Sequence, residues 1–293
     1  SSISDLGTLA TAINNSEFSN AGGLTTIAVT DTTIDATALA ARIDSYDTIN
    51  GGSATTGMTL ASGATINVDS GEITHMLADE TAGRLTISDQ AITVTGAITV
   101  DNSNLLAAVT SGKLTATIDT SETVTELATL SADGGTNDLT VVIRAADATA
   151  ATAAQLNAIN DATALAVNLT NVTALAGSSL ADLGTLATAI TNNQFSNDTG
   201  ITTIAVTDTT IDATTLLARI DSYDTINGVS GTTDMTLASG ATINVDASEI
   251  TDMLADETAN RLTISDQAIT VTGAITVDNS NLLAAVTSGK LTA

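Results

Sequence analysis

The fourteen residues Ser103–Ala116 read SNLLAAVTSGKLTA, and the same fourteen letters return at Ser280–Ala293. After the first occurrence the sequence runs on into TIDTSETVTELATL; after the second it stops. A phrase reused at this length marks an internal repeat, and repeats of this kind decide a fold before any single residue does. Shifting the sequence by 177 residues lays Phe18 on Phe195, Tyr46 on Tyr223, Arg84 on Arg261 and Lys113 on Lys290. Residues 178–293 then align with 1–116 without a gap, and about 85% of the positions are identical. The organisation expected is one continuous array over 1–293, with a first long repeat at 1–177 and a partial second one at 178–293.

A shorter period lies inside the long one. Strand-like openings stand at LTTIAVT (Leu24), MTLAS (Met58), LTISDQ (Leu85), LTATID (Leu114), LTVVIRA (Leu139), AVNLTNV (Ala166) and ITTIAVT (Ile201). Their spacings of 34, 27, 29, 25, 27 and 35 residues divide the long repeat into about six minor repeats of 25–35 residues. Such periods belong to solenoids and arrays. Within a minor repeat a strand comes first: Leu139, Val141 and Ile143 alternate with Thr140, Val142 and Arg144, the period of a strand with one buried face.

A helix follows. Ala36, Leu39, Ala40 and Ile43 fall at helical spacing with Asp35 placed to cap them. Asp69 and Glu72 stand as a capping box ahead of Ile73, Met76 and Leu77, and Leu180, Leu183, Leu186 and Ile190 mark a longer helix behind Ser179. Helices of two or three turns are marginal alone and need neighbouring repeats to hold them. LTISDQAITVTGAITVD holds three strand-like pieces, Leu85/Ile87, Ile92/Val94 and Ile98/Val100. The fold class expected is α/β, a tandem-repeat strand-and-helix solenoid. A mainly-β solenoid with short helices is the alternative. Its curvature is open, because strands stack about 4.8 Å apart and helices about 8–10 Å apart.

Differences between the long repeats gather in presumed connections, at residues 14–24, 52–57 and 70–71. Gly83 becomes Asn260 just behind a predicted helix, an exchange between the two residues that most readily take the left-handed helix-ending conformation.

Composition narrows the function. Hydrophobic residues make up 43% of the chain, but there are two Phe, two Tyr and no Trp, so the core is built from small aliphatic side chains. Pro is absent, which fits a fold of many short elements whose interiors reject it. Cys is absent too, which removes disulfides, thiol nucleophiles and Cys-ligated metals. Seven Lys and Arg against 33 Asp and Glu leave a formal charge of −26, which repels nucleic acid and anionic membrane and attracts cations. No run of 18 apolar residues is long enough for membrane insertion, and no basic, apolar signal peptide opens the sequence.

No catalytic constellation emerges. The one His, His75, is replaced by Asp252 in the second repeat, so it reads as an exposed helix residue. Ser and Thr have no recurring base. GGSATTG (Gly51–Gly57) matches no phosphate loop and reads as a connection. The ion-binding candidates are Asp31 and Asp35 in TDTTID and Asp101 in VDNSN, with their counterparts Asp208, Asp212 and Asp278. Calcium takes six to eight oxygens, and such oxygen-rich phrases offer several, but neither an EF-hand loop nor a glycine-rich calcium nonapeptide is present. The first reading of these carboxylates is as helix caps. Thr-x-Thr pairs at Thr93–Thr95 and Thr115–Thr117 hint at an ice-binding ladder, which MTLAS and LTVVI break. Arg84 and Lys113 each precede a strand, and Glu80–Arg84 at i, i+4 reads as local charge balance.

TAAQLNAINDATALAV (Thr152–Val167) and SSLADLGTLATAI (Ser178–Ile190) resemble repeats in giant surface proteins of marine cyanobacteria, a group that includes one needed for swimming without flagella. Similar long proteins occur in other aquatic bacteria. The resemblance spans the chain as a style of repeat and transfers no functional residue. It implies an extracellular, cell-surface protein without catalysis. The function expected is a spacer, stalk or surface layer; the alternative is an adhesin or fibre module, with calcium as a stiffening cofactor. The partners expected are neighbouring repeats of the same protein and surface polysaccharide, with end-to-end or edge packing in crystals. The sequence opens in the helix half of a repeat and stops three residues into a strand, which reads as a cut through a longer array with exposed sheet edges at both ends.

Overall fold

The computed structural model describes residues 1–18, 24–50, 56–132, 134, 136–198, 200–227 and 233–293. Most of GGSATTG, at 51–55, and part of the variable stretch 14–24, at 19–23, lie outside them. The elements begin with α1 (Ile3–Asn14), β1 (Thr26–Ala28), β2 (Thr33–Asp35), α2 (Ala36–Ile49), β3 (Gly57–Thr59), β4 (Thr65–Asp69) and α3 (Ile73–Thr81). Next come β5 (Leu85–Thr86), β6 (Ala91–Ile98), α4 (Val100–Val109), β7 (Leu114–Ile118), α5 (Val124–Leu127), β8 (Asp138–Thr140) and a 3₁₀ turn at Ala145–Asp147. They continue with α6 (Ala153–Asp161), β9 (Val167–Asn168), β10 (Ala174–Ser178), α7 (Leu180–Thr191), β11 (Phe195–Ser196), β12 (Thr203–Val206), β13 (Thr210–Asp212) and α8 (Ala213–Ile226). The last are β14 (Asp234–Leu237), β15 (Thr242–Asp246), α9 (Ile250–Thr258), β16 (Leu262–Thr263), β17 (Ala268–Thr272), α10 (Val277–Val286) and β18 (Leu291–Thr292). Helices alternate with strands along the described residues, so the class is α/β rather than mainly β.

Contacts gather the chain into two compact units. The first holds Ser1–Asp119, Leu130–Thr140 and Ala162–Leu165; the second holds Thr120–Thr129, Val141–Asp161 and Ala166–Ala293. In the first unit one sheet runs β1-β3-β5 and a second runs β2-β4-β6-β7-β8. In the second unit the sheets are β10-β12-β14-β16, β13-β15-β17-β18 and the pair β9-β11. The strand pairs are parallel, each to a strand of the next or previous minor repeat. Parallel register puts like residues side by side. Ile34, Ile66, Ile92 and Leu114 form one row, and Ile211, Ile243, Ile269 and Leu291 the equivalent row in the second unit. Leu175, Ile204, Met235 and Leu262 form another. The interior members of these rows are buried, and each fully buried Ile, Leu or Met stabilises the fold by about 1.5–3 kcal/mol relative to exposure.

The structure revises the strand grammar. The openings at Leu24, Met58 and Leu85 pair as one sheet, but the strand at Leu114 joins β6 in the other sheet. The opening at Ala166 yields β9, which pairs with β11, while β12 pairs with β10. Most of the repeats carry two short strands, and period-2 alternation reports a buried face without saying which of two sheets it faces. Nor does LTISDQAITVTGAITVD hold three pieces. Ile92, Val94 and Ile98 lie on the single strand β6, whose register against β7 shifts between Thr93 and Ala97, around Gly96 at φ 93°. Val100 opens α4, capped by Thr99.

The helices also differ in detail. α2 and α8 run for 14 residues, longer than the two or three turns expected. Asp35 and Ser179 cap α2 and α7 as their spacing indicates. The box expected from Asp69 and Glu72 does not form: Asp69 accepts from the Gly71 amide at 3.0 Å and Glu72 accepts from the Thr37 hydroxyl at 2.6 Å. Glu72 thereby ties α3 to α2 of the preceding repeat. A complete box is found instead at Thr123 and Glu126 on α5. Gly83 and Asn260 both take positive φ, 70° and 56°, behind their helices, as the exchange between them predicts.

Candidate functional site

The polar groups held most tightly lie between helices of adjacent repeats. Arg84 follows α3 and is fixed by its backbone, which donates to Asp79 O and accepts from the Met58 amide, each at 2.8 Å. Its guanidinium reaches Asp47 on α2 at 2.9 Å, Asp44 at 3.7 Å and the buried Asp79 on α3 through a short contact. The second repeat rebuilds the cluster: Arg261 meets Asp224 at 2.7 Å, Asp221 at 3.9 Å and buried Asp256. The expected Glu80–Arg84 pair is therefore replaced by a clamp across two helices. A planar guanidinium can serve two carboxylates at once, which an ammonium cannot do with the same geometry. Burial pushes the carboxyls of Asp79 and Asp256 above the ordinary range; Arg84 and Arg261 pull against that shift. One oxygen each of Asp47 and Asp224 is buried and accepts no hydrogen bond from the described residues.

Comparable bonds recur elsewhere. Arg144 reaches Asp147 at 2.9 Å and the Ser121 carbonyl at 2.7 Å, while Asp147 accepts from the Val124 amide at 2.7 Å. Lys113 pairs with Asp138, 25 residues on, so its charge balance spans repeats. The two tyrosines occupy one equivalent place. Tyr46 donates to Leu6 O of α1 at 3.1 Å, and Tyr223 donates to Leu183 O of α7 at 3.2 Å, both fully buried. Burial raises both phenol pKa values. Beside them Gly7 and Gly184 keep the helix backbone bare: a methyl group would come within 2.8 Å of the Arg42 guanidinium or 2.7 Å of that of Arg219.

The calcium candidates are placed as caps. Asp35 accepts from the Ala38 amide and Asp212 from the Thr215 amide, each at 2.9 Å. Asp31 reaches back to the Ile3 amide at 2.7 Å, and Asp208 to the Leu180 amide at 2.8 Å. Asp101 and Asp278 lie exposed in the first turns of α4 and α10, where they face the positive end of the helix dipole. Among the described residues no three His, Asp or Glu side chains converge as a metal site. Millimolar calcium is expected to leave the melting temperature where magnesium at equal ionic strength leaves it. A calcium-specific rise in scanning calorimetry contradicts the cap assignment.

Two grooves remain. One of about 230 Å³ separates α2 from α3, lined by Leu39, Ala40, His75, Met76 and Asp79. His75 is exposed there, as its replacement by Asp252 suggests. The second repeat carries Leu217 where this groove has Ala40. Ala40→Leu is therefore expected to stabilise the first unit by about 1 kcal/mol through added apolar burial, read as an upward shift in its urea midpoint. The other groove, about 490 Å³, is lined by Asn157, Asn160, Asp161, Thr185, Thr188 and Arg219 from α6, α7 and α8. Its amides, hydroxyls and single guanidinium suit a neutral polar ligand better than an anion.

No helix among the described residues is long and apolar enough to cross a membrane. In comparisons with known proteins, the chain matches no family model, no curated protein and no solved structure.

Proposed function

We propose that the chain is a structural segment of an extended strand-and-helix solenoid, acting as a spacer, stalk or surface layer of a very large extracellular bacterial protein. The supporting observation is the pairing of strands of one minor repeat, in parallel and in register, with strands of the next. Aliphatic rows and Arg–Asp clamps lie between those repeats. In such an arrangement each repeat buries its apolar face on its neighbours, and length grows by adding units. A charge of −26 keeps the array hydrated and keeps like arrays apart. The repeat style resembles that of the giant cyanobacterial surface proteins, and it carries the proposed location.

The test is a series of chains with one, two and three long repeats. Small-angle scattering is expected to give a radius of gyration rising nearly in proportion to repeat number. Growth close to the 0.38 power of length, that of compact domains, sinks the proposal. The groove of α6, α7 and α8 favours a second reading, an adhesin that holds surface polysaccharide. A glycan screen that retains the chain, and loses it on Asn160→Ala, selects that reading over a passive spacer.

A further inference from the structure

The α2–α3 interface of the first repeat and the α8–α9 interface of the second are built from nearly the same residues. Of the twelve that line the groove between α2 and α3, ten are identical 177 positions on. The other two are Ala40 and His75, which become Leu217 and Asp252. Ala40 leaves the groove open where the second repeat carries a larger, half-buried side chain. The acids differ in their engagement as well. Glu249 accepts from the Thr214 hydroxyl through one oxygen and from the Asp246 amide, at 3.1 Å, through the other. Glu72 accepts from Thr37 through one oxygen, and its other oxygen accepts no hydrogen bond from the described residues.

The open groove has an apolar floor and an acid at each end. Leu39, Ile43 and Met76 form the floor and are buried. At one end stands Glu72, tied to Thr37 in the first turn of α2. At the other stands Asp44, 61% exposed, whose ion-pair contact with Arg84 is 3.7 Å long, beyond hydrogen-bond range. Arg84 is committed to Asp47 and Asp79 instead. Thr37 and Asp44 lie two turns apart on α2, a rise of about 10 Å. We propose that this groove binds a linear aliphatic diamine, with its methylenes on Leu39, Ala40 and Met76 and its two ammonium groups on Glu72 and Asp44. Two charge-assisted contacts of about 2.8 Å each, angled to the groove, fill that span around an extended chain of about four or five carbons. An apolar cavity of about 150 Å³ admits benzene, so 230 Å³ holds such a chain. A neutral polyol leaves both acids unpaired, a monoamine serves one end, and an anion meets Asp44, Glu72 and Asp79 as like charges. The site lies within the first compact unit and goes beyond the structural role proposed above, so the scattering series and the binding of a diamine fail or succeed separately.

Calorimetric titration of the full chain with cadaverine, the five-carbon diamine, is expected to show one saturable site in about 0.15 M salt, where attraction to the overall charge is screened. Pentylamine is expected to bind at least about tenfold more weakly, and pentanediol to give no saturable heat. Glu72→Gln is expected to bring cadaverine down to the affinity of pentylamine, because one end of the site is then uncharged. Ala40→Leu is expected to abolish binding by filling the floor. That substitution is also expected to raise the urea midpoint, so the lost binding is not a lost fold. Cadaverine heats that Ala40→Leu leaves unchanged, or that magnesium at equal concentration reproduces, report the overall charge of the chain and overturn the proposal. Equal affinities for cadaverine and pentylamine overturn the two-ended site, and a titration without saturation at millimolar cadaverine overturns the site altogether.

Discussion

Arg84→Ala is expected to destabilise the packing of α2 on α3 by about 3–5 kcal/mol, because it strands the buried carboxylate of Asp79 without its counter-charge. The loss is not that of one surface ion pair, which is worth about 1 kcal/mol or less. Asp79 and Asp47 are both buried, and removal of the guanidinium leaves two carboxylates facing each other's field. Arg84→Lys is expected to recover only part of the loss, since one ammonium cannot reproduce the two-sided contact. Arg84→Ala with Asp79→Asn is expected to recover more. The equivalent clamp at Arg261 remains intact in the same molecule. Hydrogen exchange of α2 and α3, read against α8 and α9, therefore separates a local effect from general unfolding. Equal protection in both places refutes the clamp.

The same burial fixes the direction of a pH effect. Burial raises the carboxyls of Asp79 and Asp256, Arg84 and Arg261 pull them down, and the nearby Asp44 and Asp221 push them up; His75 adds a further downward pull on Asp79. A raised carboxyl holds its proton more tightly folded than unfolded. Its stabilising contribution is full below the unfolded value of 3.8 and is lost as pH rises through the higher folded value. Exposed Asp89 and Asp266 run the other way: hydrogen bonds from Ser62 and Ser239 lower them, so their contribution fades on acidification. Just above pH 3.8, Asp79 and Asp256 therefore add to the urea-midpoint profile a segment of falling stability with rising pH, opposed there by Glu126, whose carboxyl the bonds from Thr123 lower. Asp79→Asn with Asp256→Asn is expected to remove that segment. The Arg84→Ala loss is expected to shrink in acid, where Asp79 is neutral.

Ile66→Ala is expected to cost about 2–5 kcal/mol, and Ile66→Val about 0.5–1.5 kcal/mol. Ile66 is fully buried and sits between Ile34 and Ile92 in its row, so the cavity is walled by neighbours on both sides. Ile243 occupies the same place in the second unit, and Ile243→Ala is expected to cost the same within about 0.5 kcal/mol. Chemical denaturation followed by unit-resolved hydrogen exchange provides the check. A cost below that of the valine substitution in either unit shows that the rows are not closely packed.

Much of this was legible in the letters. The offset between Arg84 and Arg261, the caps at Asp35 and Ser179, and the left-handed exchange of Gly83 for Asn260 need only local chemistry, and the structure places them as read. Sheet membership was not legible, since the alternating pattern of LTATID is the same for a strand of either sheet. The box at Asp69 and Glu72 failed because α3 begins only at Ile73, which leaves Glu72 at the cap and Asp69 outside the helix. The clamps had a signal that went unused. Asp47 follows Ile43 and Tyr46, and Asp79 follows Met76, at the spacing of the buried face. An acid on an apolar stripe requires a buried partner, and a recurring Arg without a local mate supplies it. Tyr46 and Tyr223 offered the same hint, two lone phenols in a chain almost without aromatics.

Those two phenols have a spectroscopic consequence. With no Trp and only two Tyr in the chain, near-ultraviolet absorption is dominated by one chromophore in each unit. Each is wholly enclosed and donates to a helix carbonyl of the preceding repeat. Derivative absorbance, tyrosine emission and alkaline titration of the native chain therefore watch two matched helix interfaces, without any label. A single Tyr→Phe substitution silences one and assigns the remaining signal to the other unit.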